Sequence, residues 1–310
     1  MYRLMVADVD SPSYFVATAA AKLGFFAQEG INVEFEPVYG AKYGPERLRD
    51  GTLHFLGGPA YVATRAFPGW KGAKLLCALS QFSYWFMAVR ADLKIKRGDL
   101  NAVKGLRIAC SPTFPEMGLR YMLAEAGIDP VRDNVGIVAS PTAPGQEHLK
   151  GRDGVIAIER GVADGYWGNG MRVAIGEHLG VAKLHLDLRR GDGPPGARWY
   201  NFAALTTTEQ FVREQPQVAA AAIRAIVKTQ KALKLDSGLA TEVARDLFPR
   251  EEASLIADLI ARDAPFYDAT ISTEAVTGLN EFAEANGLIV APIPYDELVA
   301  SEFRDLWSGQ

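Results

Sequence analysis

The amino-acid sequence predicts an α/β protein of two lobes, each a mainly parallel sheet flanked by helices. Three observations support this fold class. The chain has 310 residues, more than one ordinary compact core accommodates. Strand and helix patterns alternate from the first residue, as they do in parallel sheets covered by helices. A strand that ends in a Ser-Pro corner and continues into a helix occurs twice, at Ser11–Pro12 and at Ser111–Pro112.

The first lobe is predicted from patterns at the start of the chain. Residues 2–9 form an apolar strand candidate, and residues 14–28 have the pattern of a helix that ends at Gly30. Residues 31–38 alternate apolar and polar side chains, as a half-buried strand does. Further elements are predicted in order at residues 44–51 (helix), 53–58 (strand), 60–67 (helix), 73–80 (strand) and 84–91 (strand).

A second run of the same kind begins at residue 105. Its predicted elements are strands at 105–111, 134–140, 162–168 and 182–188 and helices at 114–127, 154–161 and 170–179. A loop rich in glycine and proline then leads to a strand that returns to the first lobe, and a helical region follows from residue 209. We therefore expect lobe 1 to comprise residues 1–92 and 197–310, with residues 93–196 inserted as lobe 2. The two chain crossings would form a hinge that closes on ligand binding.

Composition and charge argue against several classes of function. The 33 basic and 37 acidic residues give a net charge of −4, and no basic block stands out, so no nucleic-acid partner is expected. The longest apolar runs are shorter than the ~20 residues that span a bilayer. The four histidines and two cysteines, Cys77 and Cys110, show no metal-ligand spacing. We expect a monomer without metal or cofactor.

Small, polar and aromatic residues follow the predicted strands at the points where helices begin. Because α/β sheets bind ligands at the carboxyl ends of their strands, these corners predict a small-molecule site. Aromatic side chains at the same corners would form the walls of the pocket. The predicted ligand-binding residues are Ser11, Ser13, Tyr14, Tyr39, Gly58, Pro59, Ala60, Ser111, Thr113, Phe114, Glu116, Trp167 and Asn169.

Two interpretations of the Ser-Pro corners remain open. In one, the N–H groups of residues 13–15 and 114–116 lie at helix N-termini and bind an acidic head group. In the other, the corners only cap helices, with Ser11 as an N-cap and Thr113 with Glu116 as a capping box. A Glu116 carboxylate that faces the ligand would instead favour an amine or an aminopyrimidine.

No catalytic residues are predicted. Cys110 precedes the second corner, but no histidine lies near it in sequence, so a buried strand cysteine is the preferred interpretation. Asp8 and Asp10 end the first strand and are expected to be solvated or to form caps rather than an acid–base pair. His54 is expected to be a packing residue. The "GDGPPG" at residues 191–196 matches a dinucleotide-binding pattern, but its prolines predict a loop.

Four phrases occur in an order that resembles a known family. They are "AAAKLGFFAQEGINVEF", "LRDGTLHFLGGPAYVATRA", "VKGLRIACSPT" and "RGVADGYWG", and the resemblance covers most of residues 1–206. The order resembles type II periplasmic solute-binding proteins of the branch for sulfonate, taurine, nitrate and thiamine-pyrimidine-precursor uptake. The resemblance implies a two-lobed type II periplasmic-binding-protein-like fold. It also implies capture of one small, anionic or aromatic organic ligand between the lobes, and delivery to an ABC-type permease.

The resemblance also leaves an alternative open. Exported family members carry a signal segment, whereas Met1 here leads directly into a strand. The expected location is therefore periplasmic or membrane-anchored outside the cytoplasm if a segment was removed, and cytoplasmic otherwise. The same fold serves cytoplasmic enzymes that form the thiamine pyrimidine or remove sulfinate from aromatic rings. This chain has neither the cysteine-rich motif of the former nor a cysteine after its first strand, as the latter have. The alternative function is a cytoplasmic enzyme acting on a small aromatic or pyrimidine-like substrate.

Overall fold

The computed structural model describes residues 1–37, 43–141 and 151–308. Their strands are β1 (Tyr2–Val6), β2 (Val33–Glu36), β3 (Phe55–Pro59), β4 (Ala73–Ser80), β5 (Phe86–Arg90), β6 (Arg107–Cys110), β7 (Gly136–Ala139), β8 (Gly165–Gly168), β9 (Ala182–Asp187) and β10 (Ala203–Thr208). Their helices are α1 (Phe15–Lys22), α2 (Phe25–Gln28), α3 (Gly44–Arg49), α4 (Phe114–Glu125), α5 (Asp153–Glu159), α6 (Gly170–His178), α7 (Glu209–Glu214), α8 (Pro216–Leu235), α9 (Leu239–Ala244), α10 (Arg250–Asp263), α11 (Thr273–Ala285) and α12 (Tyr295–Leu298). In the ranges described, no helix is both long and apolar enough to span a bilayer.

The chain divides into two compact units, each built on one five-stranded sheet. The first unit is Met1–Phe82 with Trp199–Gln310, and the second is Ser83–Arg198. The strand orders are β2-β1-β3-β10-β4 and β7-β6-β8-β5-β9. In each sheet the first three strands in this order are parallel, and the fourth runs antiparallel to both neighbours. The α/β fold class is thus confirmed, with two mixed sheets that share one pattern of strand directions.

Strand β5 belongs to a different sheet from the one that the sequence pattern suggested. The predicted division placed residues 83–92 with the first lobe, whereas β5 pairs with β8 and β9 in the second unit. The residues of β5 are buried from Phe86 to Val89, as in a strand whose sheet is covered on both faces. Such a continuous apolar run identifies a buried strand but does not identify its partners.

Two predicted helices are shorter or tighter than their patterns suggested. The helix expected at residues 14–28 is divided into α1 and α2 by Gly24, whose φ of 77° lies in the left-handed region. Residues Ala60–Arg65 form a 3₁₀ helix rather than an α-helix. The 3₁₀ helix directly follows β3, at the carboxyl edge of the first sheet, where the chain turns sharply from strand to helix.

Helix α8 covers the first sheet with a face of small and branched apolar side chains. Ala219, Ala222, Ile223 and Ile226 are fully buried on this face. The helix packs against α1, α2 and β4, so it fixes the helix that follows the first Ser-Pro corner. Burial of each such branched side chain contributes roughly 1.5–3 kcal/mol, which makes this contact a main source of order at the first corner.

Candidate functional site

The second corner, comprising residues 110–116 and 167–172, lies at the carboxyl ends of the neighbouring strands β6 and β8. Cys110 pairs with Trp167 in the parallel register, so Ser111 follows directly beside the end of β8. Ser111 is half-buried, and its Oγ lies 3.5 Å from Nη1 of Arg172. The structure therefore brings the predicted residues Ser111, Trp167 and Asn169 to one edge of one sheet.

A buried ion pair is the central feature of the second corner. Arg172 Nη1 lies 2.7 and 2.6 Å from the two carboxylate oxygens of Asp153. The side chains are 8% and 3% exposed, respectively. The aliphatic part of Arg172 covers Gly168, where a Cβ would stand only 2.6 Å from the arginine Cδ. A glycine at this position is therefore needed for the arginine to reach Asp153.

Aromatic rings form the support behind this edge. Trp167 and Trp85 pack with ring centroids 5.9 Å apart, and Trp85 in turn fills the space beside Gly118 of α4. Trp167 is 1% exposed, and its Nε1 has no hydrogen-bond partner in the part of the chain that the structure describes. The hydroxyl of Tyr166 donates to the carbonyl of Arg172 at 2.9 Å, which fixes the start of α6.

Helix capping at the second corner differs from the predicted pattern. Thr113 precedes α4, but its side chain makes no capping bond, and its φ of 77° is strained for a β-branched residue. Glu116 does not reach back to Thr113 and instead accepts hydrogen bonds from Arg120 one turn later, at 2.7 to 2.8 Å. The predicted capping box is therefore wrong, because the positive φ of Thr113 departs from the extended backbone of an ordinary N-cap. Phe114, the first residue of α4, is half-buried.

The N-termini of the second unit's helices offer fewer free donors than the sequence suggested. Asn169 is the N-cap of α6, and its Oδ1 accepts from the N–H groups of Met171 and Arg172 at 3.0 and 3.2 Å. In α4, Pro115 has no N–H at all. A ligand at this edge would therefore find few free backbone N–H groups: those of α6 are largely bonded to Asn169, and α4 has one fewer because of Pro115.

The first corner, residues 8–15, is buried and internally hydrogen-bonded. The Tyr14 N–H donates to the Ser11 carbonyl at 3.1 Å, and the Ser11 N–H donates to the Asp8 carbonyl. Tyr14, rather than Ser11, is the N-cap of α1, so the predicted Ser11 cap is wrong. Asp10 is 1% exposed, so the expected solvation does not apply to it.

Two serine hydroxyl groups at the first sheet's carboxyl edge have no hydrogen-bond partner in the part of the chain that the structure describes. Ser11 Oγ and Ser80 Oγ are buried without a hydrogen bond among the described residues, and Ser80 is the last residue of β4. Ser13 and Tyr14 are buried at the same edge. The sequence patterns did not indicate Ser80, because a serine that ends an apolar run carries no distinctive signal.

The predicted residues Gly58, Pro59 and Ala60 serve the packing of the first sheet. Gly58 and Pro59 pair with β10, and a Cβ on Gly58 would stand 3.0 Å from that of Ala7. The Ala60 N–H lies 3.1 Å from Asn201 Oδ1 and 3.0 Å from the Phe202 carbonyl, so it is already engaged. Tyr39 lies outside the described residues.

Cys110 and His54 have environments that suit packing. Burial is the main cause that raises the pKa of the Cys110 thiol to about 12, and the charge of Glu116 acts in the same direction. Burial also lowers the pKa of His54, whose Nδ1 accepts from the Arg3 N–H at 3.1 Å. Residues 191–196 contain no strand or α-helix, as predicted.

Sequence reasoning missed Asp153 and Arg172. One signal was present in the sequence: Arg172 falls in the first turn of a helix, where the positive end of the helix dipole disfavours a cation. An arginine there calls for a compensating carboxylate or a functional reason. The partner, nineteen positions earlier in the chain, has no fixed spacing that would reveal it.

Comparisons with known proteins agree with this architecture. A family model described as "NMT1/THI5 like" matches residues 11–234. A putative sulfonate ABC transporter periplasmic sulfonate-binding protein, SsuA from Methylobacillus flagellatus KT, has a TM-score of 0.69 at 16% identity over 97% of this chain and 92% of its own. The periplasmic nitrate-binding protein NrtA from Synechocystis PCC 6803 has a TM-score of 0.66 at 16% identity, over 97% and 86%.

An enzyme shares the fold as well. The desulfurization enzyme DSZB has a TM-score of 0.64 at 17% identity, and the match covers 98% of both chains. No curated protein sequence matches this chain. At these identities the structural similarity establishes the fold, which is the predicted periplasmic-binding-protein type.

Proposed function

Because the chain belongs to the NMT1/THI5-like family, we propose that it is a solute-binding protein that captures a small organic ligand for ABC-type uptake. The proposal includes an extracytoplasmic location and a membrane permease as partner. The named functions of the sulfonate- and nitrate-binding neighbours support it, since they share the fold over nearly the full chain.

One observation carries the proposal: buried polar atoms without partners gather at the carboxyl edges of the sheets. They are Ser11 Oγ and Ser80 Oγ in the first unit, and Ser83 Oγ and Trp167 Nε1 in the second, where no described residue bonds them. Ser83 precedes β5, which runs antiparallel to β8 and so begins at the edge where β8 ends. A buried polar group without a partner costs about 1–3 kcal/mol, which a bound ligand would offset.

The ligand that suits these edges is small and has a flat or apolar part beside its polar groups. Indole and phenyl rings from Trp85, Trp167 and Phe114 lie at or directly behind the second corner. Ligand pockets typically combine such apolar walls with a few fixed polar groups. Cys110 is not assigned as a nucleophile, because a thiol with a pKa of about 12 is almost fully protonated at neutral pH.

A thermal-shift screen with sulfonates, aromatic carboxylates, pyrimidines and nitrate tests the proposal. A compound present at 100 times its dissociation constant stabilises the folded protein by about 2.7 kcal/mol, a readily measured rise in Tm. Trp167→Phe removes the unpartnered N–H and should weaken binding of the best compound tenfold or more. The matched control is Trp70→Phe, because Trp70 is equally buried and also has an unpartnered Nε1, but precedes β4 at the opposite edge.

Two results would contradict the proposal. One is equal weakening by both tryptophan substitutions, which would indicate a general loss of stability. The other is a screen without any stabilising compound, combined with native mass spectrometry that finds no bound small molecule on the purified protein.

A further inference from the structure

We propose that Asp153 sets the charge preference of the second corner: by neutralising Arg172, it makes this corner bind an uncharged polar group rather than an anion. The inference rests on the proposed function, because it concerns the part of a ligand that reaches the end of β8. It names the class of chemical group that is accepted there.

The geometry of the ion pair is the first argument. One guanidinium nitrogen of Arg172 contacts both oxygens of Asp153, and each side chain is more than nine-tenths buried. The same nitrogen lies 3.5 Å from the hydroxyl of Ser111, which is half-buried at the corner. A carboxylate this close to the cation cancels most of the field that an approaching anion would experience.

The other charges at this corner also occur as a pair. Glu116 is bound to Arg120 on the next turn of α4. Glu116, Arg120, Arg172 and Asp153 are the main charges that act on the neighbouring Cys110 thiol. Each of the two carboxylates in this group therefore has an arginine partner within hydrogen-bond distance.

Desolvation then decides which ligand group is favoured. An anion that enters a partly buried site loses several kcal/mol of hydration, and it recovers this only from a net positive field or from many donors. The N–H groups of Met171 and Arg172 are already occupied by Asn169, and Pro115 supplies none. An amide, hydroxyl or neutral ring nitrogen costs less to desolvate and can bond Ser111 and the Trp167 N–H.

The test removes the neutralising charge without removing the arginine. Asp153→Asn leaves Arg172 cationic at the second corner. Asp164→Asn is the matched control, because it makes the same change of charge at the amino edge of the same sheet, where Asp164 pairs with Arg107 and Arg90 at 3.0 and 3.4 Å. Thermal unfolding is followed in a concentration series of sodium methanesulfonate. The half-saturating concentration should be at least tenfold lower for Asp153→Asn than for Asp164→Asn, and general salt effects cancel in the comparison.

Equal responses of the two variants would overturn the proposal. Since Asp153→Asn removes the carboxylate of a buried ion pair and risks misfolding, the wild-type protein provides a second test. Methanesulfonate and dimethyl sulfone have nearly the same shape and differ in charge. The wild type should bind methanesulfonate no more tightly than dimethyl sulfone, and a tenfold preference for the anion would overturn the inference.

The two proposals fail in distinguishable ways. A gain of anion binding in Asp153→Asn, without any ligand in the screen of the wild type, would support the charge inference while the solute-binding function fails. A tightly bound anion in the wild type that contacts this corner would support the solute-binding function and overturn the charge inference.

Discussion

A buried arginine in the first turn of a helix requires a compensating charge, and Asp153 supplies it for Arg172. The pair is close to neutral as a unit, but each member is costly without the other. Neither their residue types nor their spacing in the sequence identifies them as partners. Their coupling should therefore appear in stability as well as in ligand preference.

Substitution of Arg172 by methionine tests this coupling. Arg172→Met leaves Asp153 buried without its partner, and the expected loss is about 3–5 kcal/mol in the free energy of unfolding. The control, Arg107→Met, breaks the ion pair with Asp164 at a half-exposed arginine, and its loss should be clearly smaller. Urea unfolding monitored by far-ultraviolet circular dichroism measures both. Equal losses would show that the Asp153–Arg172 pair is effectively solvated.

At the scale of elements, two threonines precede helices in different ways. Thr208 is the N-cap of α7, where its Oγ1 accepts from the Phe211 N–H at 3.0 Å with an ordinary φ of −97°. Thr113 precedes α4 without any capping bond and with a φ of 77°. The same residue type therefore stabilises one helix start and is strained at the other.

Replacement by glycine should change stability in opposite directions at the two sites. Thr113→Gly relieves backbone strain and loses no cap, so a gain of up to about 1 kcal/mol is expected after the entropic cost of glycine. Thr208→Gly loses its cap and should cost a few tenths up to about 2 kcal/mol. Midpoints of urea unfolding decide the outcome. A loss at Thr113 as large as that at Thr208 would mean that the threonine side chain stabilises the corner.

The sequence predicted the alternating elements and both Ser-Pro corners, because strand and helix periods and turn residues are local signals. Local signals also explain what it missed. The sheet that β5 joins depends on pairing across distant segments. The capping box at Thr113 does not form because the backbone there has a positive φ, which the sequence does not reveal for a threonine. The Asp153–Arg172 pair depends on the fold of three elements at one edge. The sequence thus predicted that the site lies at the carboxyl edge of the sheets, whereas the pairing of its charged side chains could be seen only in the structure.

At the scale of the whole molecule, several carboxyl groups favour the native state in their ionised form. The Arg132 guanidinium is the main cause that lowers the pKa of Asp133 to about 2. The Arg107 guanidinium likewise lowers the pKa of Asp164. A lowered pKa in the folded state means that the unfolded chain binds protons more readily. The associated stability is present above the usual carboxyl range and is lost as the pH falls through the folded values.

The free energy of unfolding should therefore decrease as the pH is lowered from about 5 toward 2. Urea unfolding at low ionic strength and at pH 6, 4 and 3 measures the trend, because high salt would suppress the electrostatic contributions of surface pairs. In Asp164→Asn one of these carboxylates is removed, so the slope with pH should be shallower than in the wild type. Stability that stays constant or rises on acidification would contradict this expectation.

The strand in the fourth position of each sheet has a consequence for biosynthesis. In the first sheet that strand is β10, which lies between β3 and β4 but follows them in the chain by more than a hundred residues. In the second sheet it is β5, and all five strands come from the continuous stretch Ser83–Arg198. During translation the ribosome therefore releases a complete second unit while β3 and β4 still have unpaired edges. Those unpaired strand edges can pair with other chains until β10 emerges from the ribosome. We therefore expect the nascent chain to depend most on chaperones while the second unit is complete and β10 is not yet synthesised.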